Sequence, residues 1–301
     1  MTNPPRFVFF GTSYFAVTIL ATLLEKGVRP HCIVTTPDKP QGRHLQLTPS
    51  PVKQWAEANG IAVLQPEKLK TPPFADVLRD INAQTPIDVF VVASYGKIIP
   101  EDIITLPPHG TLNVHPSLLP RYRGASPVQS TILNDDKKTG VTIISIDSEM
   151  DHGPIVAQQE VTLNPWPQST EEMKQSLAII GTELLLRLFL QMKDGPLRSR
   201  MQEHAFATYT KKFDKSDGLL DLTANPYQAY LRYLALKKTP GVYFIDSHKE
   251  KEIRVKVTKA SYHNEQFVVE RVVPEGRKEM SFEEYRRGKR LPVQTISKES
   301  E

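Results

Sequence analysis

The stretch DVFVVAS, Asp88–Ser94, admits few folds. Apolar side chains fall on both faces of the strand it would form, so neither face can meet water. A strand covered on both sides belongs to a parallel sheet packed between helices. The surrounding sequence supplies the alternation that such a sheet needs. RFVFFG (6–11) reads as a strand, SYFAVTILATLLEKG (13–27) as a helix closed by Gly27, and HCIVTT (31–36) as a second strand. PVKQWAEANG (51–60) begins with Pro51 behind the cap candidate Ser50 and stops at Gly60. IAVLQ (61–65) is a short strand, PPFADVLRDINAQ (72–84) a helix, GTLNVH (110–115) a strand and SPVQSTILND (126–135) a helix. TGVTIISI (139–146) and GPIVAQQEVTL (153–163) are later strands, expected to run antiparallel at the sheet edge. A long amphipathic helix, 169–195, opens with the capping-box pattern of Ser169 and Glu172. This repeated alternation predicts an open, mostly parallel α/β sheet.

From Pro196 to about Asp214 the texture turns polar and basic, which reads as a linker and puts the domain boundary near residue 205. A chain of 301 residues accommodates two domains, 1–205 and 206–301. The second offers one helix, NPYQAYLRYLAL (225–236), and the strands GVYFID, EIRVKVTKASY and QFVVERVV. Alternation in IRVKVTKA favours a half-exposed sheet, and a small, partly closed barrel is expected.

The single cysteine, Cys32, excludes a disulfide framework and a cysteine-rich metal site, and the eight histidines show no HExxH or other close metal spacing. Metal independence is therefore expected. The N-terminus carries no signal-peptide pattern and no stretch is long enough to cross a membrane, so a cytoplasmic protein without a membrane partner is expected. Residues 1–205 hold 19 basic and 20 acidic side chains of the total 38 and 34, which leaves 19 and 14, or +5, for residues 206–301. A basic second part suits an anionic partner, and equally an ordinary solvated surface.

Asn113 and His115, in NVHPSLLPRYRGASP (113–127), stand two apart on a strand and share a face at its carboxyl end, where open α/β sheets bind ligands. Asn can donate to a developing oxyanion, and His can donate, accept or shuttle a proton near neutral pH. Asp151, in SEMDHGP, follows the strand 139–146; if the two strands are neighbours, its carboxylate can face the imidazole and hold it. The three would support attack on a carbonyl-like carbon, hence acyl or one-carbon transfer. The residue types alone are equally compatible with strand-end caps and an ordinary turn. Ser94, Ser117 and Ser126 lie in no GxSxG elbow, and FFGTSYFA lacks GxGxxG and any P-loop. The segment TTPDKPQGRHLQLTPSPVK (35–53) has no obvious element and is longer than usual for its place. Lys39, Arg43 and Lys53 charge it and Gly42 frees it, as suits a mobile arm that meets nucleic-acid phosphate or a small anion.

The blocks FFGTSYFAVTIL, VTTPDKPQGRHLQLTPSPVK, VVASYGKIIP, LNVHPSLLPRYRGASPVQ, TGVTIISIDSEMDHGPIV and TYTKKFDKSDGLLDL resemble those of the folate-dependent formyltransferases. The loop and the 208–222 segment narrow the resemblance to the methionyl-tRNA formyltransferases, with sugar-nucleotide amine formyltransferases as the alternative. The resemblance implies a Rossmann-like catalytic domain with helices on both faces of its sheet, and an abbreviated small barrel of OB type behind it. It implies transfer of the formyl group of 10-formyltetrahydrofolate to the α-amino group of methionyl initiator tRNA, by direct attack through a tetrahedral intermediate, in a monomer without metal. Asn113, His115 and Asp151 fall on the family's catalytic trio. Tyr95, Gly96 and Ile98, with Ser117, Leu118, Leu119 and Pro120, fall along the folate cleft and its wall. Arg43, with Lys39 and Gly42 in the loop 37–50, falls on the tRNA-contacting arm, and Arg121 and Arg123 on the active-site wall toward the acceptor. Lys237 and Lys238, with Lys256, Lys259 and the cluster Arg286, Arg287, Lys289 and Arg290, are candidates for phosphate contacts in the basic second domain.

Three departures stand out. Tyr122 takes a position where the family often has Trp, and Ser126 one where Ala is common. LKKTPGVYF (236–244) replaces a tryptophan-containing turn, and about thirty residues separate it from the closing VVPEGRKEMSFEEYRRG, so a strand pair of the second domain is expected to be missing or shortened.

Overall fold

In the computed structural model, which describes residues 4–41, 46–69, 72–248 and 251–287, DVFVVAS is the middle of a seven-stranded sheet. Along the chain come β1 (Phe7–Gly11), α1 (Tyr14–Glu25), β2 (Cys32–Val34), β3 (Lys39–Gln41), β4 (Gln46–Thr48), α2 (Pro51–Ala58) and β5 (Ala62–Leu64). Then follow α3 (Pro72–Gln84), β6 (Val89–Ala93), α4 (Glu101–Ile104), β7 (Thr111–His115), β8 (Arg123–Gly124), α5 (Pro127–Leu133), β9 (Lys138–Ser145), β10 (Ile155–Thr162) and α6 (Thr170–Gln191). The chain closes with β11 (Tyr209–Thr210), α7 (Pro226–Leu236), β12 (Val242–His248), β13 (Lys251–His263), β14 (Gln266–Pro274), β15 (Met280–Ser281) and α8 (Phe282–Arg287).

The large sheet has the order β10-β9-β7-β6-β1-β2-β5. Its five strands from β7 to β5 are mutually parallel, and β9 and β10 add antiparallel pairs at one edge, as the sequence pattern predicts. Every residue of β1 and β6 is buried. On one face Val8, Phe10, Phe90 and Val92 pack with Phe74 and Leu78 of α3 and with Ile103 of α4. The other face is covered by α6: Phe7 meets Phe189 with ring centroids 5.2 Å apart, and a Cβ added at Gly181 would stand 2.6 Å from Val114. Burial of this apolar surface, at about 25 cal/mol per Å², is the dominant favourable term for such a layered unit.

Local signals set the helix ends. Ser50 accepts the Lys53 N–H at 3.0 Å, with Pro51 behind it, and Glu172 accepts from both the N–H and the hydroxyl of Ser169. The segment 35–53 is less irregular than its sequence suggests: β3 and β4 form an antiparallel pair within it. Gln65 and Lys53 both bind Asp38 at its base, and the bonds from Lys53 and Gln65 hold the Asp38 carboxyl below its ordinary range. Lys53 is thus an internal partner rather than a charge of the arm. Gly42 and Arg43 lie outside the described residues.

Two units divide the chain. The first contains the chain up to Pro127, Lys138–Thr162 and Lys174–Thr210; the second takes Val128–Lys137, Leu163–Met173 and the chain from Lys211 on. The division falls after Thr210 rather than near 205, because Tyr209 and Thr210 pair with Arg123 and Gly124 and keep the chain on the first unit. In the second unit β12, β13, β14 and β15 form an antiparallel meander in that order. Asn264 and Glu265, both with positive φ, make the two-residue turn between β13 and β14. Among the described residues this sheet is open, without pairing of β15 back to β12, so the expected barrel is seen as a sheet. Tyr227, Tyr230 and Tyr233 of α7 pack on Tyr262 and Phe267.

Candidate active site

The pleat of β7 puts Asn113 and His115 on one face at the carboxyl end of the strand. The connection from β9 to β10 brings Asp151 back to them. Gly153 permits this return, since a Cβ there would collide with the backbone carbonyl of Ser145. Asp151 itself lies in left-handed backbone, φ 52°. Asn113 Nδ2 donates to Asp151 Oδ1 at 3.1 Å, and the Gly124 N–H donates to Oδ2 at 2.8 Å. His115 Nδ1 stands 3.5 Å from Oδ1, with only 5% of the His115 and 13% of the Asp151 side chain exposed, so solvent screens the pair weakly. The other ring nitrogen, Nε2, is 2.9 Å from the Tyr122 carbonyl oxygen. A carbonyl only accepts, so Nε2 carries that proton and Nδ1 is the nitrogen turned to Asp151.

The loop after β7 is fixed from within. Thr142 Oγ1 donates to the Ser117 carbonyl at 2.7 Å and accepts from the Leu119 N–H and from Gln158 Nε2. Ser117 is fully buried, its hydroxyl donating to the Arg121 carbonyl, and Leu119 is buried with Ile144 and Ile155. Leu118 packs toward Gly140, and the Pro120 carbonyl accepts the Thr208 N–H. The side chains of Ser117 and Leu119 are thus buried behind the wall that this loop forms. The reason is the dense hydrogen bonding that a proline-rich loop needs when it runs over a strand end.

Arg123 departs from expectation. It is 2% exposed, and its guanidinium binds Gln202 Oε1, His204 Nδ1 and Tyr209 Oη. A group so enclosed cannot clamp a phosphate of an acceptor. Arg121 is exposed, with its guanidinium 5.2 Å from the centre of the Tyr122 ring. Tyr95 turns into the core, edge-on to Phe10 at 5.5 Å, and burial pushes its phenol up to about 12. The strand ends at Ala93, and the left-handed backbone of Ser94, φ 49°, breaks its alternation, so Tyr95 joins the same core cluster as Val92 although the two are three residues apart. Gly96 takes left-handed backbone in the same strand-end turn. Ile98, 82% exposed, lines a cleft of about 580 Å³ with Leu69, Ile99, Pro100, Ile104 and Ser148. Ser148 belongs to the loop that carries Asp151, so cleft and trio share that loop. Arg79 at the cleft is ion-paired to Asp76 and Asp102, and Glu101 lines the same cleft. Lys39 is exposed on β3. In the second unit Lys237 lies over the Tyr233 ring, 5.5 Å from its centre, and Lys238 is exposed. Lys289 and Arg290 lie outside the described residues.

Residues that sequence reasoning missed come from the segment read as a linker. Gln202, 3% exposed, binds the backbone of the Asp151 loop, and His204 stacks on His152 with ring centroids 4.2 Å apart. Isolated polar residues in a polar segment carry no periodic signal. Among the described residues no three metal-ligating side chains converge, and no helix is long and apolar enough to cross a membrane.

Residues 5–189 match the formyl transferase family model. A methionyl-tRNA formyltransferase of Dictyoglomus turgidum is 35% identical over 96% of this chain and 98% of its own. One from Thermus thermophilus is 39% identical over 90% of this chain and 86% of its own. Among solved structures, the methionyl-tRNA formyltransferase of Clostridium thermocellum has a TM-score of 0.62 at 16% identity, over 89% of this chain and 97% of that one. An N-formyltransferase of Helicobacter canadensis, seen with folinic acid and dTDP-3-aminofucose, has a TM-score of 0.58 at 17% identity, over 88% and 95%. Likeness at that identity extends to the fold alone, whereas identity of 35–39% across most of both chains separates this protein from sugar-amine enzymes. The chain belongs to the methionyl-tRNA formyltransferase family and is a one-carbon transferase.

Proposed function

We propose that the chain transfers the formyl group of 10-formyltetrahydrofolate to the α-amino group of methionyl initiator tRNA, and that Asn113, His115 and Asp151 carry the transfer. The observation that supports this most is the approach of the Asp151 carboxylate to both Asn113 and His115 at the carboxyl end of β7. The unprotonated methionyl amine attacks the formyl carbon of the folate donor. The bond from that carbon to N10 of the folate breaks as the tetrahedral intermediate collapses. Tetrahydrofolate leaves with a proton on N10 while the amine loses one. The Asn113 amide spends one hydrogen on Asp151, and its second is directed to the oxygen on which negative charge develops. His115, with Nε2 held by the Tyr122 carbonyl, offers Nδ1 as a proton carrier 3.5 Å from the Asp151 carboxylate. Asp151 holds that ring and assists removal of the amine proton, directly or through water. Exposed Lys39, Arg121, Lys238 and Lys256, together with the basic loop 37–50, are proposed as contacts for the acceptor's phosphates.

The test is an assay of formyl transfer to methionyl initiator tRNA, methionyl elongator tRNA and a sugar-nucleotide amine. Turnover on the initiator tRNA well above the other two is expected. Turnover on the sugar amine alone would overturn the assignment.

A further inference from the structure

We propose that Gln202, braced by Arg123, is a positioning residue that sets the direction of the Asp151 carboxylate; this rests on Asp151 being part of the transfer site. Gln202 uses its whole hydrogen-bonding capacity. Nε2 donates to the Asp151 carbonyl at 2.9 Å and to the Gly153 carbonyl at 2.8 Å. Oε1 accepts from Arg123 Nε at 3.1 Å and from Arg123 Nη2 at 2.7 Å. The orientation of the amide is unambiguous, because a guanidinium only donates and so must face the oxygen.

These bonds close a ring around the reacting carboxylate. Gly124 holds Asp151 Oδ2 through its N–H, the preceding residue Arg123 holds Gln202, and Gln202 holds the Asp151 carbonyl. The carbonyl and the carboxylate of Asp151 are thus gripped from opposite ends of one dipeptide. The left-handed backbone at Asp151 needs such a grip, since a non-glycine residue holds that conformation only when its surroundings impose it. Tyr209 and Thr210, paired to Arg123 and Gly124, fix the dipeptide in turn. A glutamine is the fit here: glutamate would set a carboxylate against two carbonyls, and lysine or arginine would set donors against Arg123.

The test uses the full-length enzyme and the variants Gln202→Glu, Arg123→Lys, Asp151→Asn and the Gln202→Glu/Asp151→Asn pair, with thermal unfolding to show that each is folded. Gln202→Glu keeps the Arg123 bonds and loses those to the carbonyls. It is expected to lower kcat by about 10- to 100-fold, the scale for a misplaced group, with KM for donor and acceptor within about threefold. Arg123→Lys should lower kcat by about 3- to 10-fold. In the Asp151→Asn background the Gln202→Glu change should cost less than about threefold, because the carboxylate that Gln202 positions is gone although the carbonyl it binds remains. Wild-type kcat in Gln202→Glu, or losses that multiply in the pair, would overturn the inference. A wild-type enzyme that formylates no methionyl-tRNA would overturn the functional reading, and this one with it.

Discussion

Replacing Asp151 by asparagine removes one charge and almost no volume, so its effect isolates the electrostatics of the trio. In the native site the carboxylate faces His115 Nδ1 at 3.5 Å. At an effective dielectric constant of about 20, unit charges at that separation interact by about 5 kcal/mol. The 13% exposure of Asp151 lets some water in, and roughly halving the figure gives a range of about 2–5 kcal/mol. At about 1.36 kcal/mol per factor of ten, that corresponds to roughly 30- to 5,000-fold in the transfer step. The amide oxygen of the replacement side chain can still accept the Gly124 N–H, so the loop stays in place. Its NH2 group then opposes the Asn113 amide, which disturbs the proposed oxyanion donor as well. Single-turnover formylation with saturating donor and charged initiator tRNA reads the step directly. A rate within about threefold of wild type, or a loss that appears in KM alone, would refute the claim that the carboxylate acts on the imidazole.

The remaining predictions concern single links. Asn113→Ala should lower kcat by about a hundredfold or more with the melting temperature little changed, since an oxyanion donor acts in the transition state; near-normal turnover would reject that role. Ser169→Ala should cost about 1 kcal/mol in a denaturant titration, as expected for loss of an N-cap. Because the Ser169 hydroxyl and N–H hold the Glu172 carboxyl below its ordinary range, that cost is fully present above the unfolded-chain value of about 4.3. It should shrink as pH falls through the lowered folded value, and a cost that grows in acid would contradict the cap. If two of the exposed lysines act as phosphate clamps, raising salt from about 50 to about 200 mM should weaken tRNA binding about tenfold, and Lys256→Ala should flatten that slope. Salt-independent binding would reject the use of this basic surface.

Much of the fold is legible because burial writes a period into the chain. DVFVVAS is a fully buried central strand, the antiparallel edge lies where TGVTIISI and GPIVAQQEVTL put it, and both Ser50 and Ser169 cap helices as read. The trio's two strand residues are legible for the same reason, since a period of two decides which side chains share a face. Side-chain direction beyond strand ends is not legible. Tyr95 and Ser117 sit in resembling blocks, yet one turns to Phe10 and the other to the Arg121 carbonyl. A block shared with a family locates a backbone path, and the local hydrogen bonds then decide which atoms face the ligand.

The segment 196–210 shows the limit most sharply. It has no apolar period, which is why it reads as a linker, yet it supplies Gln202, His204 and Tyr209 to Arg123. Polar burial follows satisfaction of donors and acceptors, and that requirement has no spacing in sequence. Its energetic logic is stringent all the same. A guanidinium enclosed to 2% exposure is tolerated only while its hydrogens are bound, and removing a partner of a buried charge costs about 3–5 kcal/mol. The brace is therefore close to all-or-none: an apolar residue at 202 strands the Arg123 charge and frees the Asp151 loop at one stroke. Stability and catalytic geometry meet in the one side chain of Gln202 but use different atoms, Oε1 toward Arg123 and Nε2 toward the Asp151 loop, which is why Gln202→Glu can disturb the second while keeping the first.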